Sequence, residues 1–347
     1  LTSIVTSSGT TGGPKCIEYS VWSRLHSGRV YIDRLDMTPD DKVAYFVPLY
    51  TGPSDLSYHT APQLGSAQLL LESFSPEAAC ALIQAEKPTG VTLVPTMLHR
   101  ILGFSGFDPK DFESLRFVTC GGGVLPFEIG RRVEEQFGVK IIQAYGLMDC
   151  GAVTSHALND SQEARLRAQG RPLDGTEVRV LDADGNVLPS GEVGQVCVRG
   201  PHSNGGYMGE AAITEEGWGE DGFFRTGDLG HIDGDGHIIL QGRSKDIIIR
   251  GGQNISAKEV EDVLAHHPSI KEAVAVKMPD PELGERVCAF AVTTPGASLT
   301  LEDIVQFMKS YDIAGFKIPE RLELVDEMPL TPGGNKVDKK RLEEMVR

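Results

Sequence analysis

The chain has 347 residues, 40% hydrophobic and 24% charged, which excludes a disordered or collagen-like protein despite its 40 glycines. That length predicts two or three domains with room for a sizeable core. The 33 basic and 49 acidic side chains leave a net charge of −16 spread along the chain, a field that repels a polyphosphate backbone and speaks against nucleic-acid partners.

From Ser3 to Gly146 short β-rich apolar runs alternate with helical stretches, the pattern of parallel strands crossed by helices. Strands are expected at Ile4–Thr6, Val43–Val47, Gln68–Leu71, Val91–Val94, Arg116–Thr119 and Lys140–Ala144. Between them Ala78, Ala79, Leu82 and Ile83, then Ile129, Val133 and Phe137, recur at helical spacing and bury one stripe on that sheet. After Ser155 the texture changes to short strands broken by Gly, Asp and Pro, at Glu177–Leu181, Gly194–Val198, Gly230–Ile232 and His237–Leu240, read as a small barrel or meander. Asp233 to Gly236 supply tight-turn chemistry between two of them. Near Asp246 a compact α+β region begins. Ser256 with Glu259, and Thr300 with Asp303, read as capping boxes opening two helices, with strands at Val274–Met278 and Val287–Val292 between them. The six cysteines form no CxxC pair, so no disulfide framework or zinc ribbon is expected. No apolar run approaches the ~18 to 20 residues that span a bilayer, and no secretory signal pattern opens the chain; a reducing, cytoplasmic setting is expected.

The chemistry concentrates in five stretches. The first strand runs into Ser7, Ser8, Gly9, Thr10, Thr11, Gly12, Gly13, Pro14 and Lys15, where hydroxyls, small residues and one cation suit close approach to phosphate oxygens. Lys15 follows Pro14 and precedes Cys16, so this is not a Walker A loop, and no GxGxxG fingerprint occurs. Gly121, Gly122 and Gly123 follow a strand and would let a flat base lie on bare backbone, or simply turn the chain. Tyr145, Gly146, Leu147, Met148 and Asp149 end another strand. Phe224, Arg225, Thr226, Gly227 and Asp228 form the fourth stretch and continue to Arg243 and Lys245; a carboxylate at Asp228 has two acceptor oxygens, fit for a vicinal diol. The fifth runs from Pro329 through Thr331, Gly333, Gly334, Asn335 and Lys336.

In this order the five stretches resemble the acyl-adenylate-forming superfamily, which comprises acyl-CoA and aryl-CoA synthetases, peptide-synthetase adenylation domains and luciferases. The resemblance covers nearly the whole chain. It implies an α/β parallel sheet layered with helices, then a barrel-like β-rich subdomain and a mobile C-terminal α+β domain, at 1–155, 156–244 and 245–347. It implies ATP bound by Ser7, Ser8, Gly9, Thr10, Thr11, Gly12 and Lys15, adenine beside Gly121, Gly122, Gly123 and Tyr145, and ribose on Asp228 and Arg243. Asp149 would help hold Mg²⁺ or be a strand-end turn residue, Lys245 would be the interdomain hinge or a surface ion pair, and Lys336 the catalytic lysine or part of a solvated basic face. The segment around Gly252 would face a pantetheine thiol, or be a plain turn.

Three departures from the family pattern stand out: Asp149 replaces Glu, Met148 replaces Thr, and Asn335 lengthens the lysine loop by one residue. The phosphate loop also begins within the first ten residues, where the family has a large preceding section; a missing part would leave a sheet edge exposed, favouring association between copies. Where dihydroxybenzoate-activating relatives carry His-Asn-Tyr, this chain has Tyr45, Phe46 and Val47, implying a hydrophobic aryl, alicyclic or medium-chain acid, unless the three are a packed strand end. The implied reaction makes acyl-AMP from a small carboxylic acid and ATP and passes the acyl group to CoA. Two alternatives stand beside it: loading of a pantetheinylated carrier protein, and a nucleotide-binding homologue without turnover.

Overall fold

The computed structural model describes residues 3–7, 15–49, 51–52, 59–123, 125–202, 205–311, 313–331 and 337–347. The chain forms two compact units, Leu1–Thr226 with Gly230–Leu240, and Gly227–Leu229 with Gln241–Arg347.

The first unit opens with β1 (Ser3–Ser7) and β2 (Lys15–Tyr19), paired antiparallel with Ser7 opposite Lys15. This corrects the expectation that the first strand joins the parallel sheet. A parallel partner needs a crossover of a dozen or more residues, and only residues 8–14 separate these strands, so the chain turns straight back. The main sheet has β3 (Lys42–Tyr45), β4 (Ala67–Leu70), β5 (Gly90–Leu93), β6 (Phe117–Cys120), β7 (Lys140–Leu147), β8 (Gly151–Ser155) and β9 (Arg171–Pro172), in the order β4-β3-β5-β6-β7-β8-β9. From β4 to β7 neighbouring strands are parallel. β8 and β9 add antiparallel, β8 because residues 148–150 leave room only for a hairpin.

Strand alternation sends Ala44, Val91, Leu93, Val118, Cys120 and Ile141 to one face, where helices Pro76–Glu86, Pro95–Leu102 and Phe127–Phe137 cover them. Val43, Tyr45, Phe117, Ile142 and Ala144 face the other side, against Val30, Tyr31 and Ile32 of helix Val21–Arg34. Periodicity does not single out this last helix, because Val21, Trp22 and Leu25 are exposed and break its apolar stripe. A second sheet holds β10 (Glu177–Leu181), β11 (Gly194–Arg199), β12 (Phe224–Ile232) and β13 (Ile238–Arg243) in chain order, a meander. As the turn chemistry predicts, Asp233 Oδ1 accepts from the N–H groups of Asp235 and His237.

An acid-labile clamp ties the edge of the first unit's core. The buried Asp41 carboxylate takes both contacts from Arg116 Nη1, at 2.6 and 2.8 Å, with further donors in Thr38 N–H and the Thr89 hydroxyl. Burial pushes its pKa up, but these donors outweigh burial and hold it below the ordinary carboxylate value. A carboxylate with a depressed folded pKa stabilises the protein above its unfolded pKa and loses that contribution as pH falls through the folded value. Asp41→Asn is therefore expected to lower stability at neutral pH and to flatten the loss as pH falls below about 4, read from urea midpoints at neutral and acid pH.

The second unit is built on β14 (Ile247–Arg250), β15 (Gln253–Ser256), β16 (Ile270–Asp280), β17 (Gly284–Thr293) and β18 (Arg321–Leu324), ordered β15-β14-β17-β16 with β18 parallel to β17. Val287, Ala289 and Ala291 face helices Ala257–Leu264 and Leu301–Lys309, while Cys288, Phe290 and Val292 face helix Lys339–Met345. The Thr300–Asp303 capping box is complete. At Ser256 only half of one forms, because both Glu259 carboxylate oxygens are taken by Lys317 Nζ at 2.6 and 2.7 Å. No helix among the described residues is long and apolar enough to cross a membrane.

Candidate functional site

A cleft opens at the carboxyl ends of β6 and β7, the end of a parallel sheet where ligands bind in open α/β folds. Gly121, Gly122, Tyr145 and Gly146 line it, with Tyr31, Leu147 and Ala152. Gly122 has φ of 78°, a backbone shape that disfavours any side chain. Two motif stretches that stand apart in sequence thus meet at one cleft, with bare backbone and the rings of Tyr31 and Tyr145. The Tyr145 ring is largely buried among Cys150, Val153, Val196, Val198 and Phe224. Gly123 is not among the lining residues.

Beside β7, Asp149 accepts a hydrogen bond from the Tyr207 hydroxyl at 2.6 Å, and Lys15 Nζ stands 4.6 Å from the centre of that same ring. Burial first, then the Asp149 carboxylate that the hydroxyl feeds, push the Tyr207 pKa upward, so it stays a donor. Sequence reading misses Tyr207. Its signal is faint, an aromatic after Gly205 and Gly206, and only pairing with β2 brings it here: Ile17 bridges Tyr207, and Met208 N–H donates to Cys16 O at 2.8 Å. Tyr19 donates to Met148 O at 2.6 Å, fastening the same turn. The Tyr207 ring therefore carries a cation over its face and a carboxylate on its hydroxyl. Ser7 ends β1 opposite that lysine, whereas Ser8, Gly9, Thr10, Thr11 and Gly12 lie outside the described residues.

Tyr45, Phe46 and Val47 are each at most 3% exposed and belong to the two faces of the main core. None lines this cleft.

In the second unit, Arg243 Nε donates to Asp228 Oδ1 at 2.9 Å, with the aspartate side chain 8% and the arginine 44% exposed. Two residues expected side by side on a ribose thus hold each other. Lys245 lies in the single turn Ser244–Asp246, close to where the chain enters this unit at Gln241, and its carbonyl accepts from Lys277 Nζ. Gly251 and Gly252, at φ of 55° and 82°, form the two-residue turn between β14 and β15, with Arg250 opposite Gln253. Two consecutive positive φ values make this a type I′ hairpin, sufficient reason for both glycines. Lys336 lies outside the described residues. The ends of its segment are tied: Leu330 bridges Val337, and Asp338 N–H donates to Pro329 O at 2.8 Å.

Residues 1–208 match the AMP-binding enzyme family and residues 259–335 its C-terminal domain. A medium-chain fatty-acid–CoA ligase of Escherichia coli (strain K12) is 35% identical over 336 residues, covering 96% of this chain and 59% of that protein. A salicylyl-CoA synthase / salicylate adenylyltransferase of a Streptomyces species is 35% identical over 98% of this chain and 62% of its own length. The chain therefore spans about three fifths of the curated relatives it matches. Among solved structures, ATP-bound MatB from Rhodopseudomonas palustris superposes with a TM-score of 0.92 at 28% identity, over 99% of this chain and 67% of that one. On the matched residues and on the order of its five motifs, the chain belongs to the AMP-binding enzyme family, within the acyl-adenylate-forming superfamily.

Proposed function

We propose that this chain activates a carboxylic acid with ATP to an acyl-adenylate and passes the acyl group to the thiol of CoA. The carrying observation is the cleft where Gly121, Gly122 and Tyr145 meet at the carboxyl ends of parallel strands. In the first half-reaction a carboxylate oxygen attacks the α-phosphorus and pyrophosphate leaves. In the second, the thiol sulfur attacks the acyl carbon, AMP leaves and the thiol proton goes to solvent. No covalent protein nucleophile is needed. The protein's task is to bring anions together and neutralise the charge that builds up.

In this reading Gly121 and Gly122 accept the adenine face and Tyr145 borders it. Ser7, Ser8, Gly9, Thr10, Thr11, Gly12 and Lys15 grip the phosphate tail, with Lys15 positioned over Tyr207. Asp228 takes the ribose hydroxyls, with Arg243 orienting its carboxylate, and Lys336 faces the α-phosphate. Lys245 is the hinge about which the lysine withdraws, and Gly252 sits where the thiol enters. Asp149 fits Mg²⁺, because a carboxylate offers the hard oxygens that ion prefers and Tyr207 fixes its orientation. Mg²⁺ held there would supply positive charge against the triphosphate.

The acid is a hydrophobic aryl, alicyclic or medium-chain one, consistent with the names of the two relatives above. We place the activity in the cytoplasm, a reducing setting that suits six cysteines with no CxxC pair in the sequence. Incubation with ATP, Mg²⁺, CoA and a panel of acids, followed by mass spectrometry, tests the proposal. AMP with acyl-CoA supports it; acyl-AMP that accumulates until a carrier protein is added moves the acceptor to the carrier. Asp228→Asn is expected to weaken AMP binding about 10- to 100-fold, the worth of one or two hydrogen bonds to a charged group, measured by calorimetry. Unchanged AMP affinity would remove Asp228 from the ribose.

A further inference from the structure

The first unit holds a second cluster of chemistry-bearing side chains, one the proposed reaction does not use. His156 follows β8, Asp160 closes the turn after it, and His237 precedes β13. One donor atom from each lies within 4.8 Å of those of the other two. His156 is fully buried, His237 is 3% exposed, and the Asp160 side chain is 12% exposed.

Their outer partners assign the protons. His156 Nε2 lies 3.1 Å from Ala168 O, which can only accept, so this nitrogen carries a hydrogen. A neutral ring then presents the bare lone pair of Nδ1 to Asp160 Oδ2 at 2.9 Å, two electron-rich atoms in contact. Something positive must stand between them. A proton there would satisfy that pair alone. It would not serve His237, whose Nδ1 faces Asp233 Oδ2 at 3.3 Å and whose Nε2 is buried with no hydrogen-bond partner. The two rings are 5.3 Å apart.

We propose that His156, Asp160 and His237 bind one divalent cation of the zinc class. Two imidazole nitrogens and one carboxylate oxygen suit Zn²⁺ or Co²⁺ and not Mg²⁺, leaving one position of a tetrahedral ion for water. Each donor already has the outer partner a metal ligand needs: Ala168 O on His156, Asp233 on His237, and Arg171 Nη1 at 3.1 Å on the other Asp160 oxygen. Where His156 carries an Nδ1 proton, the metal displaces it to solvent. The ion would act as a clamp inside the first unit. It joins the turn after the main sheet to the β12–β13 turn of the meander, beside the backbone pair Gln169 N–H to Ile238 O and Ile238 N–H to Gly170 O, at 2.8 and 2.9 Å.

The test uses the untagged, chelator-stripped chain titrated with Zn²⁺, Co²⁺ and Mg²⁺ by calorimetry and thermal melting. We expect one equivalent of Zn²⁺, no comparable Mg²⁺ binding, and a raised melting temperature with Zn²⁺. In folded His237→Gln, affinity should fall more than about 100-fold, beyond the loss from an outer partner, and the thermal gain should vanish. No stoichiometric Zn²⁺ binding by the wild type, or unchanged binding in both His237→Gln and His156→Gln, overturns the site. Should the variants not fold, the Co²⁺ spectrum of the wild type decides. Nitrogen–oxygen bands without a thiolate charge-transfer band support the assignment, and a thiolate band assigns the ion to cysteine and overturns it. None of these readouts depends on adenylation.

Discussion

Lys336→Ala is expected to slow carboxylate-dependent pyrophosphate exchange about 10²- to 10³-fold, the loss seen when one preorganised donor to a developing charge is removed. ATP affinity should change by less than about 3-fold, because a group that acts on charge present only in the transition state contributes little to ground-state binding. The substitution leaves the surrounding anchors alone. The Leu330–Val337 bridge, the Asp338 cap on helix Lys339–Met345 and the Lys339–Glu261 pair at 2.8 Å are made by other residues. A fall in activity would therefore report on chemistry and not on folding, and circular dichroism of the variant checks this. The single-turnover rate of acyl-AMP formation separates the outcomes: an unaltered rate would remove Lys336 from the role assigned to it.

The largest expected loss of stability is at Glu134→Ala. Glu134 and Arg165 pair with side chains 7% and 5% exposed, and both carboxylate oxygens are engaged by the guanidinium. Glu134 also accepts from Ile141 N–H at 2.7 Å and from Gln162 Nε2 at 2.8 Å, while Arg165 donates to Ile141 O and Asp160 O. Removing the carboxylate leaves a buried guanidinium with carbonyl partners only and an orphaned backbone N–H at the start of β7. Breaking one partner of such a pair costs about 3 to 5 kcal/mol, far more than a surface ion pair contributes. Glu134→Gln should lose less, since the amide oxygen still accepts. The urea midpoint of the transition that the first unit follows is the measurement, and a loss below about 1 kcal/mol in Glu134→Ala would show the pair to be relaxed into water.

Local patterns carried the fold a long way. Continuous apolar runs bounded by turn residues mark β3, β5 and β6 because both faces of that sheet are covered, and period-two alternation in β16 and β17 matches their two buried faces. Two other features depend on chain distance, which apolar patterning does not reveal. The seven-residue span that folds β1 back on β2 is one; the other is the reach of Lys317, which draws Glu259 away from its capping box. The site divides along the same line. Gly121, Gly122 and Tyr145 are legible because motif order alone links them, and the cleft then unites them. Tyr207 is invisible in one dimension, since its contacts to Asp149 and Lys15 span long stretches of chain. Asp228 and Arg243 read as two neighbouring ligands of one sugar, and in the structure they form an ion pair with each other.

The central claim is that this chain joins a carboxylate to AMP. Exchange of labelled pyrophosphate into ATP, run with Mg²⁺ across aryl, alicyclic, medium-chain and short polar acids, tests it most directly. The account predicts label in ATP only when an acid is present, and most with a hydrophobic one. Firm ATP binding without exchange for any acid would contradict it and leave a nucleotide-binding homologue without turnover.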